Sequence, residues 1–395
     1  GGIARKIRQT LRDPELKTHL AELIQEVKDN PLIRLYTSTT ISDFSGHVGN
    51  FKATLGLNGR TVEVSGGAVI VATGGEPYEP DEYSYAQSDA IITQLELEEK
   101  LDQPGFAEGL EQVVMIQCVG SREEEHPYCS RVCCQEAVKN ALAIKEANPE
   151  AQVYVLNRDI RTYGFDEIHY ERAREAGVVF IRFDVDDKPE VTVDGGLRVR
   201  VTDGVLQRPV ELKPDLLVLS AAIRPHPTVG TISQALKVPL NADGFFLEAH
   251  MKLRPLDFPS EGIFLAGVAH APKSMVESIS QAKGAAARAA TIISKPYLDR
   301  SGVVSEVDAN SCAGCLTCVR TCPYEVPQIG EDGVAHIEPA SSQGCGVCAS
   351  VCPRKAITTR HYGDEQIISK VDVLFGDPEF EAAGAKSAKQ AGEDE

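Results

Sequence analysis

The chain has no tryptophan and only three methionines, and neither scarcity decides a function. No apolar run reaches the ~18 residues that a bilayer-spanning helix needs, and no signal-peptide pattern opens the chain. Direct membrane insertion is therefore not expected, and a cytoplasmic location is. Basic residues are in deficit, 40 Lys plus Arg against 58 Asp plus Glu, for a formal charge of −18. So acidic a surface makes a poor general ligand for nucleic acid. No Ser-His-Asp grouping and no phosphate loop is present, and with them go the common hydrolase and kinase readings. The 395 residues start at Gly1-Gly2 without a methionine and run straight into a helix-like segment. We read this as a fragment with more chain upstream, and its length leaves room for two or three domains.

What is present is cysteine. There are eleven, an odd number, and all but Cys118 lie within four residues of another. Such clusters read as metal ligands in a reducing compartment, not as a disulfide framework.

Hydrophobic patterning orders the chain into segments. Asp13-Pro14 is a cap and first helical residue, followed by Leu16, Leu20, Leu23, Ile24 and Val27 at helical spacing. Short strands are expected at 33–36, 41–44, 51–57 and 61–64, then a buried strand over 68–75. From 111 the pattern becomes β-α-β-α-β, with strands at 113–117, 153–156 and 178–181, helices at 135–147 and 167–176, and a closing strand at 216–222. A strand at 262–267 then precedes Ser274-Met-Val-Glu277, a capping-box sequence that opens a helix to about residue 293.

Cys312-x2-Cys315-x2-Cys318-x3-Cys322-Pro323 is the run of a bacterial ferredoxin, in which the fourth cysteine crosses to a second cluster. It recurs 30 residues later as Ser342-x2-Cys345-x2-Cys348-x3-Cys352-Pro353. By the crossing rule one cluster takes Cys312, Cys315, Cys318 and Cys352. The other takes Cys345, Cys348 and Cys322, with its fourth iron facing Ser342. A serine-ligated cluster, an open or water-bound iron, a three-iron cluster, and a serine standing in place of an original cysteine are all open at this stage.

Four further cysteines, Cys118, Cys129, Cys133 and Cys134, flank the turn where a dinucleotide-binding βαβ unit would carry G-x-G-x-x-G. The glycine cradle is absent and thiols replace it, so an iron–sulfur cluster in the seat of a nicotinamide cofactor is the simplest inference. Zinc and a redox-active dithiol compete with it. Nearby, His126 reads as a solvated loop histidine, and Arg158 and Arg161 as either surface ion pairs or steering charges.

Val69-Ile-Val-Ala-Thr73-Gly74-Gly75 and Gly262-Ile-Phe-Leu-Ala-Gly267 are similar to the two segments by which two-dinucleotide-domain flavoproteins approach FAD. The glycines admit the cofactor, and a helix N-terminus at Ser274 offers N–H groups and a positive dipole end. His270 takes the place near the acid that usually follows the second segment and is a candidate for bonding the ribityl chain.

Ile116-Gln-Cys-Val-Gly-Ser-Arg122, Tyr128-Cys-Ser-Arg-Val-Cys-Cys134, Arg158-Asp-Ile-Arg-Thr-Tyr-Gly164, Asp243-Gly-Phe-Phe-Leu-Glu-Ala-His250 and the paired ferredoxin runs resemble the family of heterodisulfide reductase A subunits. The flavoprotein subunits of quinone-interacting oxidoreductases share much of this. The resemblance implies an α/β fold: a thioredoxin-reductase-like two-domain flavoprotein core, an FAD domain with an inserted βαβ domain, followed by an α+β two-cluster ferredoxin domain. It divides the chain into an FAD-binding part at 1–110, an inserted cluster-bearing unit at 111–245, the FAD-domain return at 246–302, the ferredoxin domain at 303–362 and a largely disordered tail at 363–395. It implies three 4Fe–4S clusters, one of them ligated by the Cys118 group, and places Lys139 near flavin N5. Ser342 and the absent glycine fingerprint depart from the family pattern.

The function expected from all this is an electron-transfer oxidoreductase subunit coupling two-electron flavin chemistry to one-electron clusters, with flavin-based bifurcation as the finer form. Its expected partners are other subunits of a heterodisulfide reductase-like complex, with hydrogenase, formate dehydrogenase or ferredoxin as donor or acceptor. The alternatives are a passive ferredoxin-type relay, the flavoprotein subunit of a quinone-interacting membrane-associated oxidoreductase, and an NAD(P)H-dependent flavin enzyme. The missing nucleotide fingerprint argues against the last.

Overall fold

The apolar residues at helical spacing near the start form α1 (Leu16–Asp29). The helix begins beyond Pro14, with Glu15 as its N-cap, and Asp13 stays at its start: one carboxylate oxygen accepts the Glu15 N–H at 3.0 Å and the other meets His19 Nδ1 at 2.9 Å. This is a computed structural model describing residues 2–57, 59–299 and 301–375. Its chain divides into two compact units, one built from residues up to 45 and from 51–294, the other from 46–50 and from 295 onward.

In the first unit β1 (Thr39–His47), β2 (Asn50–Leu57) and β3 (Arg60–Gly66) form a three-stranded sheet in that order. The strand expected at 33–36 is not one; Leu32, Ile33 and Leu35 are exposed and pair with no neighbouring strand. Then come β4 (Val69–Val71), β5 (Gly75–Pro77), β6 (Ile91–Thr93) and α2 (Gln94–Leu101). β7 (Gln112–Val119), α3 (Cys133–Ala147), β8 (Gln152–Asn157), α4 (Glu167–Glu175) and β9 (Val179–Arg182) follow. After an antiparallel sheet of β10 (Glu190–Thr192), β11 (Arg198–Asp203) and β12 (Arg208–Leu212), the chain re-enters as β13 (Leu216–Ala221).

The core of this unit is a five-stranded sheet in order β6-β13-β7-β8-β9, parallel throughout. A parallel sheet must be covered on both faces, and alternation along β7 meets that demand. Val113 and Met115 pack under Ala137, Val138, Ala141 and Ile144 of α3. Val114 and Ile116 face the other way, toward Val199 and Val201 of β11 and Leu212 of β12. The sheet starts earlier than residue 111, since β6 pairs with β13 through Ile91–Thr93. Three residues carry too little periodicity to be recognised as a strand.

β14 (Ile223–Pro225) returns antiparallel to β5, and α5 (Val229–Leu236) follows. β15 (Ile263–Leu265) lies parallel to β4, with α6 (Met275–Ile293) packed on it through Ala285 and Ala289.

The second unit holds two small antiparallel pairs. These are β16 (Ser305–Val307) with β19 (Ile357–Thr359), and β17 (Gln328–Ile329) with β18 (Ala335–His336). Short helices α7 (Thr317–Thr321) and α8 (Val347–Ser350) follow the two cysteine loops. Where a disordered tail was expected from 363, Asp364–Phe375 forms α9. Asp364 and Glu365 favour its N-terminus through the helix dipole, and Ile367, Val371 and Leu374 recur at helical spacing. The rest of that expected tail, 376–395, lies outside the described residues. Among the described residues no helix is long and apolar enough to cross a membrane.

The turn after β7 leaves no room for a side chain. Gly120 has φ +69°, and a Cβ there would enter the ring of Tyr78. Gly120→Ala is expected to lower stability by ~1–3 kcal/mol through overpacking, read as a fall in the urea unfolding midpoint.

Candidate functional site

Cys118 is the last residue but one of β7, a non-glycine residue held at φ +65°, and α3 begins with Cys133 and Cys134. The connecting loop carries Cys129, whose Sγ accepts the Arg131 N–H at 3.3 Å; Arg131 itself sits at φ +62°. Cys118, Cys133 and Cys134 are buried and Cys129 is half-buried. Burial, and after it the neighbouring thiols Cys134, Cys118 and Cys129, push the Cys133 thiol well above its usual range. Burial likewise raises Cys134, to about 12. For Cys118 burial again dominates, opposed by Arg122 and Arg158.

Cations surround the thiols. Arg122 Nη1 lies 3.7 Å from Cys118 Sγ and pairs with Asp159. Arg158 pairs with Glu123, which also holds Lys188 at 2.6 Å. Arg161 reaches Asp159 at 3.2 Å. Arg158 and Arg161 are thus engaged in ion pairs, and His126 packs edge-on to Tyr128. Three buried thiols raised chiefly by burial, with Cys129 beside them and arginines close by, form a donor set that ionises readily only around added positive charge. Among the described residues no three His, Cys, Asp or Glu side chains converge closely enough to hold a single ion; a cubane is a wider body.

In the second unit Cys312, Cys315, Cys318 and Cys352 line one cavity together, the same four that the crossing rule assigns to one cluster. Burial, and then Cys345 and Cys322, raise the Tyr324 phenol. Ser342 is buried, and its Oγ lies 3.4 Å from the backbone nitrogens of Ser305 and Gly344.

The glycine turns come together where β4 lies beside β15. Thr73 Oγ1 is buried and has no hydrogen-bond partner within the chain, an orphan acceptor and donor fit for a polar ligand atom. Gly74 takes φ +78°, and Gly75 opens β5 opposite Pro225. The Gly267 N–H donates to Gln281 Oε1 at 3.0 Å, and its carbonyl accepts from Lys273 Nζ at 2.6 Å. That bond orients the Gln281 amide, whose Nε2 donates to His270 Nδ1 at 3.0 Å. The His270 proton then sits on Nε2 and is donated to Glu248 at 2.9 Å. Both ring nitrogens of His270 are engaged within the chain. Ser274 is the N-cap of α6, closing a capping box with Glu277.

A cavity of about 250 Å³ opens between Gln135 in the first turn of α3 and Ser274–Glu277 at the start of α6, with Arg12 and Tyr163 on its walls. Two helix N-termini face it, an arrangement that favours an electron-rich ligand. Lys139, expected beside a flavin, is buried with its ammonium divided among Glu98 at 2.5 Å, Glu136 at 2.8 Å and the Gln9 carbonyl at 2.8 Å.

Residues 305–367 match the family described as the 4Fe-4S dicluster domain. Over 337 residues the chain is 37% identical to the A subunit of the H2:CoB-CoM heterodisulfide, ferredoxin reductase of Methanothermobacter marburgensis, covering 80% of this chain and 50% of that one. It is 39% identical over 340 residues to the second iron-sulfur A subunit of the CoB–CoM heterodisulfide reductase of Methanopyrus kandleri, covering 80% of this chain and 51% of that one. The chain is a homologue of the heterodisulfide reductase A subunits. It spans about half the length of these relatives. A thioredoxin reductase from T. acidophilum, 13% identical, superposes with TM-score 0.50 over 75% of this chain and 88% of that one, and so shares its fold.

Sequence reasoning missed Tyr78 and Arg224. The Arg224 guanidinium stacks over the Tyr78 ring at 4.6 Å and keeps a buried Nη1 without a hydrogen-bond partner. Their only linear signal was an aromatic just after one short strand and a cation within another. Lys273, equally overlooked, is buried beside Gly267. Burial, and next the charge of Arg131, lower its pKa from 10.5 to about 8. The unfolded chain holds this proton between those values while the native state releases it, so stability rises with pH across that window. Lys273→Met is expected to abolish that rise, measured as the difference in unfolding free energy between wild type and variant from about pH 7.5 to about pH 10.

Proposed function

We propose that this chain is the FAD- and 4Fe–4S-bearing electron-transfer part of a heterodisulfide reductase-like complex, an oxidoreductase that couples two-electron flavin chemistry to one-electron clusters. The observation that carries the reading is the replacement of a phosphate-binding turn by four thiols, three of them buried, at the carboxyl end of a parallel sheet. Homology to the heterodisulfide reductase A subunits and the dicluster domain in the same chain support it.

In this reading Cys118, Cys129, Cys133 and Cys134 ligate one cluster within the inserted unit, roughly the segment from 111 to 245 with β6 added. Cys312, Cys315, Cys318 and Cys352 ligate a second, and Cys322, Cys345 and Cys348 belong to a third. FAD lies along the Thr73 and Gly267 turns, with the unpartnered Thr73 hydroxyl offered to it, and when bound it supplies exchange between electron pairs and single electrons. Lys139 contributes a positive charge to that region, its carboxylate partners holding the ammonium in place. Arg122 shields the charge on Cys118. The physiological partners of this reading are the other subunits of such a complex in the cytoplasm. Hydrogenase, formate dehydrogenase or ferredoxin would exchange electrons with it, and flavin-based bifurcation is its finer form.

The test is anaerobic quantitation of iron, sulfide and flavin on the whole chain, with EPR of the reduced protein. About twelve irons per chain are expected for three cubanes, and Cys133→Ala is expected to remove about four of them while leaving the ferredoxin signals in place. Zinc in place of iron at the Cys118 group would overturn the assignment. Failure to bind added FAD would reduce the chain to a cluster relay. Arg122→Gln removes a cation beside a ligating sulfur and is expected to lower the reduction potential of that cluster alone, read by EPR-monitored redox titration.

A further inference from the structure

The two cysteine loops of the second unit are copies related by a shift of 30 residues, and the copying extends to backbone detail. Cys312 donates its N–H to the Asp308 carbonyl at 3.1 Å, and Ser342 donates its own to the Glu338 carbonyl at 3.1 Å. Gly314 and Gly344 take φ of +61° and +64°. A Cβ on Gly314 would stand 2.5 Å from the Gly333 carbonyl oxygen, and one on Gly344 would strike that of Val303. Leu316 and Gly346, at φ of +64° and +76°, precede α7 and α8. The second loop therefore keeps the shape of the first.

The ligating atom follows the same rule. Cys312 Sγ accepts the Ala335 N–H at 3.4 Å. Ser342 Oγ accepts the Ser305 N–H at 3.4 Å, and Ser305 is the residue 30 before Ala335. Ser342 Oγ thus occupies the seat of the equivalent thiolate, is buried there, and takes a second N–H from Gly344 at 3.4 Å. Two N–H donors aimed at one oxygen favour a charged oxygen over a neutral hydroxyl.

We propose that Ser342 is the fourth ligand of the second dicluster site, giving that site three sulfurs and one oxygen from the protein. The inference rests on the cluster assignment made above. Ligation forms an Fe–Oγ bond, the hydroxyl proton leaves to solvent, and no electron is transferred. An alkoxide is a harder donor than a thiolate and stabilises ferric over ferrous iron. The second site therefore lies below the first in reduction potential, and the ligand difference makes two otherwise copied sites unequal.

The experiment is redox titration followed by EPR, with iron counting, on the whole chain purified anaerobically as wild type, Ser342→Cys and Ser342→Ala. Four-iron clusters at both dicluster sites are expected in the wild type. Ser342→Cys is expected to raise the potential of the second site alone. Ser342→Ala is expected to shift its spectrum or cost it an iron while the first site keeps its signal, which serves as the folding control. A three-iron cluster in the wild-type second site overturns the proposal, and so do potentials and spectra identical in all three proteins. Absence of both dicluster signals from every variant, Ser342→Cys included, overturns the cluster assignment instead, and the two failures are thereby told apart.

Discussion

Charge balance around the buried thiols is the constraint on which the first unit depends. Cys118, Cys133 and Cys134 are sealed from water between a parallel sheet and the helix that follows it. Burial first, and then the neighbouring thiols, disfavours ionisation there, as the raised Cys133 and Cys134 show. Arg122 and Arg158 oppose this at Cys118, yet each is also tied to a carboxylate, Asp159 or Glu123. These two cations are consequently held in position before any positive centre arrives. In an acidic chain of net charge −18 this local excess of arginine contrasts with the surface as a whole.

Much of this was legible in the linear sequence, and the reasons are specific. β7 and α3 were found because a buried strand followed by an alanine-rich helix has strong periodicity over many residues. The capping box at Ser274 and Glu277 was read directly, since its chemistry is local: the Glu277 N–H meets Ser274 Oγ at 3.3 Å and the Ser274 N–H meets Glu277 Oε2 at 2.9 Å. The ferredoxin run was legible for the same reason, with ligands crowded into one loop.

What escaped were pairings between distant residues. β6 is three residues long and is a strand only because β13 lies beside it. The antiparallel cover of β10 to β12 was passed over although β11 alternates, with Val199 and Val201 buried between exposed Arg198 and Arg200. Tyr78 against Gly120, and Lys139 against Glu98, join residues 42 and 41 positions apart in the chain, beyond the reach of any periodicity. His270 was expected to be available to a cofactor; Glu248 and Gln281 claim both its nitrogens.

Glu277 divides its two oxygens between separate tasks. Oε2 accepts the Ser274 N–H and fixes the first turn of α6, while Oε1 meets Arg131 at 2.6 Å on the loop that carries Cys129. Arg131 also donates to the Pro272 carbonyl and the Tyr163 hydroxyl. Detaching Arg131 therefore frees one oxygen and leaves the other bonded. The tether on the cysteine loop and the cap of α6 therefore share one carboxylate without sharing a bond, and the start of the helix does not depend on the loop contact.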